Sequence, residues 1–344
     1  MIMKNTSMQN ILLALVSATL LFISNGAAAQ EVTSFAQTTN PLTSSQQKVL
    51  ETFVTNGVQG LSSSDPATVV EARDDFIAVL TRLGTSPVFR EAFATAFIED
   101  TRPILESGNH FNRFNVLRVM AYVRTSDSNL ALARRFESES MTNPAGRIFV
   151  SNMLSTSLRN TDPGLVRPRQ FNAIIRAIIN GADQEKSWIA LQHEFNALIA
   201  IGSNSKVPND IRSAAISAQA SVLEDTLKRI KEDPELSRAI SAMVLMLRTE
   251  FIGLDGLTRR DFNKKIVSSL VQIIESGEGA WDQLQQDPGI RKAYGDAIYQ
   301  ATVLTSLMLG TNATPQSKPA EAWQDGKREN FVTAAGDWAR LAGS

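Results

Sequence analysis

Asp65-Pro66-Ala67-Thr68-Val69-Val70-Glu71-Ala72-Arg73-Asp74-Asp75-Phe76-Ile77-Ala78-Val79-Leu80-Thr81-Arg82-Leu83-Gly84 carries the pattern that decides the fold. Asp-Pro is a helix start: the short carboxylate caps free backbone N–H groups, and proline, which has none, sits well in the first turn. Val69, Ala72, Phe76, Leu80 and Leu83 then recur every three or four residues, marking one face of a helix, and Gly84 ends it.

The same grammar repeats along the chain. Seven of the twelve prolines follow Asn, Asp or Ser, as at Ser86-Pro87, Asn143-Pro144, Asp162-Pro163, Asp233-Pro234 and Asp287-Pro288, so most of them read as helix starts. Gly108, Gly181, Gly202, Gly277 and Gly310 each follow an apolar-periodic run and read as helix ends. Trp188, Leu191, Phe195 and Leu198 form one stripe. Stronger stripes follow at Leu236, Ile240, Met243, Leu247 and Phe251, at Phe262, Ile266, Leu270 and Ile273, and from Ile290 through Tyr294, Ala297, Ala301 and Leu304 to Met308. No segment alternates apolar and polar residues between hairpin turns, so strands find little support. The expectation is an all-α chain of about ten helices of roughly 12 to 20 residues. The apolar segments Ile240–Leu254 and Ala297–Leu309 are too short to span a bilayer, and the first carries Arg248 and Glu250, so both read as core helices.

Helices of this length, joined by short polar turns, suggest stacked helical hairpins. The segment Asp65–Gly84 resembles the second helix of a HEAT repeat. Ile211-Arg212-Ser213-Ala214-Ala215 with Ala218 and Leu223 is similar, and Arg113 through Val116, Leu117, Val119 and Ala121 is a weaker case. The resemblance implies a right-handed stack of antiparallel hairpins, an α-solenoid, with an irregular multi-helix bundle as the alternative. It also implies a protein-binding role, and it carries no binding residues over. From Leu236 onward no repeat signature aligns.

The N-terminus reads as an export signal: Lys4, an uncharged and mostly apolar stretch Ile11–Ile23, then Ala27-Ala28-Ala29, which places cleavage between Ala29 and Gln30. Thirteen residues are too few for a membrane-spanning helix, so no integral anchor is expected after cleavage. Cysteine is absent, which excludes disulfides and a lipid-bearing cysteine. The expected location is periplasmic or secreted. Cleavage removes one lysine and no acid, leaving 33 basic against 35 acidic residues, a balance without the basic excess that nucleic-acid binding needs. Residues 30–45, rich in Thr, Ser and Gln, read as a flexible leader. Residues 46–310 read as the helical domain, with a possible subdivision near 233, and 311–344 as a linker and tail helix.

Candidate chemistry is sparse. His193-Glu194 begins a zinc-protease pattern, but Ala197 stands where the second histidine belongs, and only His110 remains elsewhere. In Thr258-Arg259-Arg260-Asp261-Phe262, Thr258 reads as a helix cap answered by Asp261. The carboxylate pairs Asp74-Asp75 and Glu99-Asp100 diverge by about 100° on a helix and read as solvated faces. No phosphate loop or nucleophile elbow is present. No catalytic, cofactor-binding or metal site is therefore expected. The tail holds Trp323, Phe331 and Trp338, which either cap the last apolar face or dock on a partner. The function these readings favour is an exported, non-catalytic scaffold for an unknown protein partner. The alternatives are an all-helical extracytoplasmic enzyme acting on polysaccharide or peptide, and a structural component of a cell-envelope assembly.

Overall fold

The computed structural model of the chain describes residues 29–107, 109–136, 141, 143–310 and 313–343. Among them all regular structure is helical, with no strand. Helix α1 covers 29–35. It is followed by α2 Ser44–Leu61, α3 Pro66–Thr81, α4 Pro87–Asp100, α5 Arg102–Glu106, α6 His110–Val123, α7 Ser126–Ala133, α8 Pro144–Arg159 and α9 Pro168–Gln184. Then come α10 Trp188–Gly202, α11 Asn209–Arg229, α12 Ser237–Gly253, α13 Gly256–Gly279, α14 Trp281–Gln286, α15 Pro288–Leu309, α16 Pro319–Gln324 and α17 Arg328–Ala339. That is seventeen, not about ten. Several of the extra ones, such as α5, α14 and α16, span only one or two turns, too short to show a period in sequence.

Four of the Asx-Pro and Ser-Pro starts behave as their chemistry requires, whereas Asp162-Pro163 and Asp233-Pro234 open only three-residue 3-10 turns and Asp233 makes no capping hydrogen bond. Asp65 accepts from the N–H groups of Ala67 and Thr68, Ser86 from Phe89, Asn143 from Ala145 and Asp287 from Ile290. The glycines divide. Gly310 ends α15 at φ +87°, a region open to glycine at little cost, whereas Gly84, at φ +86°, lies in the turn beyond the end of α3 at Thr81. Gly181 and Gly277 lie inside α9 and α13 and Gly202 is the last residue of α10, all three where a neighbour leaves no room for a Cβ, so they are packing residues rather than stops. Gly108 lies outside the described residues.

The described residues divide into two compact units, one ending at Ser128 and the other beginning at Asn129. In the first unit Phe76 is fully buried between Phe53, Phe93 and Phe97, with ring centroids 5.2, 5.5 and 5.2 Å away. Gly57 makes the room: a Cβ there would lie 2.1 Å from Phe76 Cζ. Arg90 of α4 donates to the carbonyls of Leu80 (2.6 Å) and Tyr122 (2.7 Å), satisfying the C-terminal ends of α3 and α6 together. Leu83, read from spacing as core, is 92% exposed because α3 stops at Thr81. The segment 30–45 is not the free leader its composition suggests. Val32 and Ala36 of this stretch are fully buried, the Ser86 N–H donates to the Ala36 carbonyl at 2.8 Å, and Gln37 Nε2 donates to the Leu83 carbonyl at 2.8 Å. The expected Ala29–Gln30 junction lies at the start of α1, and residues 1–28, where the rest of the signal falls, are outside the described residues.

In the second unit the helices contact one another in two series. α8, α10, α12 and α15 touch in succession, and so do α9, α11, α13 and α17. The tail completes this core. Trp323 is fully buried, with ring centroids 4.9 Å from Trp281, 5.2 Å from Tyr294 and 5.1 Å from Phe331, and its Nε1 donates to the Arg291 carbonyl at 2.9 Å. Gly277 and Gly295 admit this cluster, since a Cβ at either would stand 2.9 Å from the Phe331 or Trp323 ring. Among the described residues no helix is long and apolar enough to cross a membrane.

Candidate functional site

The groove between α10 and α12 is an open surface that adjoins a buried ionisable group. It encloses about 460 Å³, with apolar walls from Ile199, Leu245 and Met246, Arg159 and Asn196 at its edge, and Glu250 among its lining residues. Arg159 donates to Asn196 Oδ1 at 2.7 Å, which fixes the edge.

Glu250 follows Met243 and Leu247 at helical spacing, so α12 turns its carboxyl into the protein, where the residue is 5% exposed. Gln219 of α11 donates through Nε2 to Glu250 Oε1 at 3.3 Å. Gly202 leaves the space, because a Cβ there would lie 2.6 Å from that same oxygen. Glu250 Oε2 and Gln219 Oε1 are both buried without a hydrogen-bond partner. Burial pushes the Glu250 pKa up to about 8, against smaller opposing effects of Gln219 and Arg212. Arg212 is the nearest cation and is already engaged: Nε donates to the Gly202 carbonyl at 3.0 Å and Nη1 meets Asp255 Oδ2 at 3.0 Å. The hydrogen bonds of the Thr258 N–H and hydroxyl, and then Arg212, hold the Asp255 carboxyl far below the usual carboxylate range.

A second buried cluster lies toward the other end of α10. Glu194 is fully buried, and neither of its oxygens has a partner. Burial first, then the Glu185 carboxylate, raises its pKa well above the ordinary value, with Arg147 and Arg229 opposing. Arg147 grips Glu185 with Nε on Oε2 and with Nη2 on Oε1 at 2.8 Å. Arg229 donates to the backbone carbonyls of Glu185 and of Ala182, the latter at 3.0 Å. Burial disfavours the charged form in Glu194. Eight residues separate it from Gly202, about 12 Å along the helix. The two buried acids therefore do not converge on one cavity.

The other sequence candidates are dispersed. His193 is half-buried, and burial lowers its pKa; His110 is exposed and begins α6, capped by Asn109 rather than capping anything. No group of three or more His, Asp or Glu residues able to hold a metal occurs among the described residues. Asp255, not Thr258, caps α13: it accepts from Leu257 N, Thr258 N and the Thr258 hydroxyl, while Asp261 pairs with Lys265 at 3.0 Å. Trp323 and Phe331 are fully buried and Trp338 is 3% exposed, so all three pack within the fold. Sequence reasoning named Glu194 within a zinc-protease pattern and Glu250 as a charge in a core helix, and did not read either as a buried acid. The signal was there, for each sits at i+3 from a core leucine, Leu191 or Leu247, on a stripe that otherwise admits only apolar residues.

Neither a protein-family model nor a curated protein matches this chain.

Proposed function

We propose that this chain is an exported, non-catalytic helical-repeat protein that serves as a protein-binding scaffold. Its second unit is read as a right-handed stack of antiparallel, HEAT-like hairpins. The alternation of contacts, α8–α10–α12–α15 on one side and α9–α11–α13–α17 on the other, supports that reading. Export rests on the N-terminal sequence.

The observation that carries the binding role is the apolar side chains left in solvent on one series. Leu245 and Ile252 of α12 are 50% and 63% exposed, and Tyr299 and Leu307 of α15 are 53% and 51% exposed. A single exposed leucine needs no explanation, but several on two packed helices beside an apolar groove describe an interaction surface. A protein segment laid along α12 would cover Leu245 and Ile252 and fill the groove walls.

The test is affinity capture of partners by the purified mature chain, run in parallel with a Leu245→Asp, Ile252→Asp variant of unchanged circular dichroism. The scaffold reading expects a reproducible partner for the first and none for the second. Equal capture by both, or none by either, refutes it. The second reading, an all-helical enzyme acting on polysaccharide or peptide, draws on Glu250, a groove residue that holds a proton at neutral pH. Acid–base hydrolysis needs a second carboxylate facing the first across the substrate, and Glu250 is the only acid lining this groove. That favours binding.

A further inference from the structure

We propose that the contact between α11 and α12 is a proton-dependent latch, in which protonated Glu250 forms a closed acid–amide ring with Gln219 and loss of that proton opens the groove above it. Gln219 Nε2 reaches Glu250 Oε1 at 3.3 Å, while the other oxygen of each group is buried and alone. Two bare oxygens side by side in a core are costly, because each has lost its water and gained nothing. A proton on Glu250 Oε2 answers both: Oε2–H donates to Gln219 Oε1 as Gln219 Nε2 donates to Oε1, and every polar atom of the pair is satisfied. Removal of the proton to solvent leaves a buried carboxylate holding one long hydrogen bond.

Nothing else in the vicinity is placed to accept that charge. From α10 the facing residue is Gly202. Besides Gln219, α11 brings Arg212, which is bound to the Gly202 carbonyl and to Asp255 at the start of α13. Arg159 of α8 is held by Asn196, and Arg248 of α12 itself donates to Gln300 of α15 at 2.9 Å. An ionised Glu250 therefore draws water, and the α10–α12 groove it lines is the adjoining opening. Leu245 and Met246, on the same helix, move with it, so the proton controls the groove's width. The inference concerns this latch alone and holds whether or not the groove binds a protein.

Hydrogen exchange of the full chain, corrected for the intrinsic pH dependence of amide exchange, tests it. In the wild type, protection of α12 amides should fall about tenfold per pH unit between about pH 5 and pH 8, because opening then releases one proton. In Glu250→Gln, whose amide can form the same ring with Gln219 at every pH, that slope should vanish. An infrared titration of the wild type against Glu250→Gln should show a protonated carboxyl band, lost with a midpoint near 8, that the variant lacks. The same slope in Glu250→Gln, or the same carboxyl bands in both proteins at pH 6, overturns the latch.

Discussion

Replacing Glu250 by glutamine should make the second unit more stable at neutral pH, although it removes a buried acid that holds a hydrogen bond. The unfolded residue titrates at 4.5 and the folded one at about 8, so the folded state binds the extra proton. For a carboxyl shifted upward, the proton-linked stability is complete below 4.5 and is lost as the pH climbs through 8. At pH 7 the unfolded chain gains by releasing this proton while the folded chain still holds it. At 1.36 kcal/mol per pH unit over the interval from 4.5 to 7, the loss is about 3 kcal/mol, and above pH 8 it reaches about 5 kcal/mol. Glutamine has the same shape and no proton to lose. Glu250→Gln should therefore add about 3 kcal/mol at pH 7 and close to nothing at pH 4.5. All four tryptophans, Trp188, Trp281, Trp323 and Trp338, belong to the second unit, so urea unfolding followed by tryptophan fluorescence reads that unit. A variant less stable than wild type at pH 7, or a gain that does not change between pH 5 and pH 8, would refute the reasoning.

Gly57→Ala forces a methyl to within 2.1 Å of the Phe76 ring and should cost the first unit about 1–3 kcal/mol, seen as lost hydrogen-exchange protection in α2 and α3. Trp323→Ala empties the aromatic cluster, so the urea midpoint of the second unit should drop by the equivalent of about 3–5 kcal/mol. Arg147→Leu leaves Glu185 buried without its countercharge, holding only the Ser187 N–H at 2.7 Å, and should cost about 3–5 kcal/mol. Adding Glu185→Gln in the same chain should recover much of that loss, and denaturation of the single and double variants would show it.

The helical fold was legible because its punctuation is chemical. Asp65, Ser86, Asn143 and Asp287 each cap a helix that the Asx-Pro or Ser-Pro pair announces, and the stripes from Leu236 to Met308 are buried nearly throughout. What escaped was tertiary. In α1, Val32 and Phe35 are two apolar residues in a polar stretch, too few for a period; both are buried, Phe35 edge-on to Phe89 of α4, and the adjoining Ala36 and Gln37 bond to Ser86 and Leu83 in the turn between α3 and α4. Whether Trp323 packs inward depends on Gly277 and Gly295, which matter as absences of side chain. Glu194 and Glu250 were hidden because a carboxylate normally marks the wet face of a helix. A lone charge at a stripe position is the sign that the rule is broken, and it becomes readable once the neighbours at i−3 and i+4 are seen to be core.

The claim that the α12–α15 face is a binding surface is tested most directly by photocrosslinking in the living cell. A crosslinking residue is placed singly at Leu245, Ile252, Tyr299 and Leu307, and at the exposed control positions Lys228 and Lys292. The account predicts one common protein adduct from the four face positions and none from the controls. No adduct at the face, or the same adduct from every position, would contradict it.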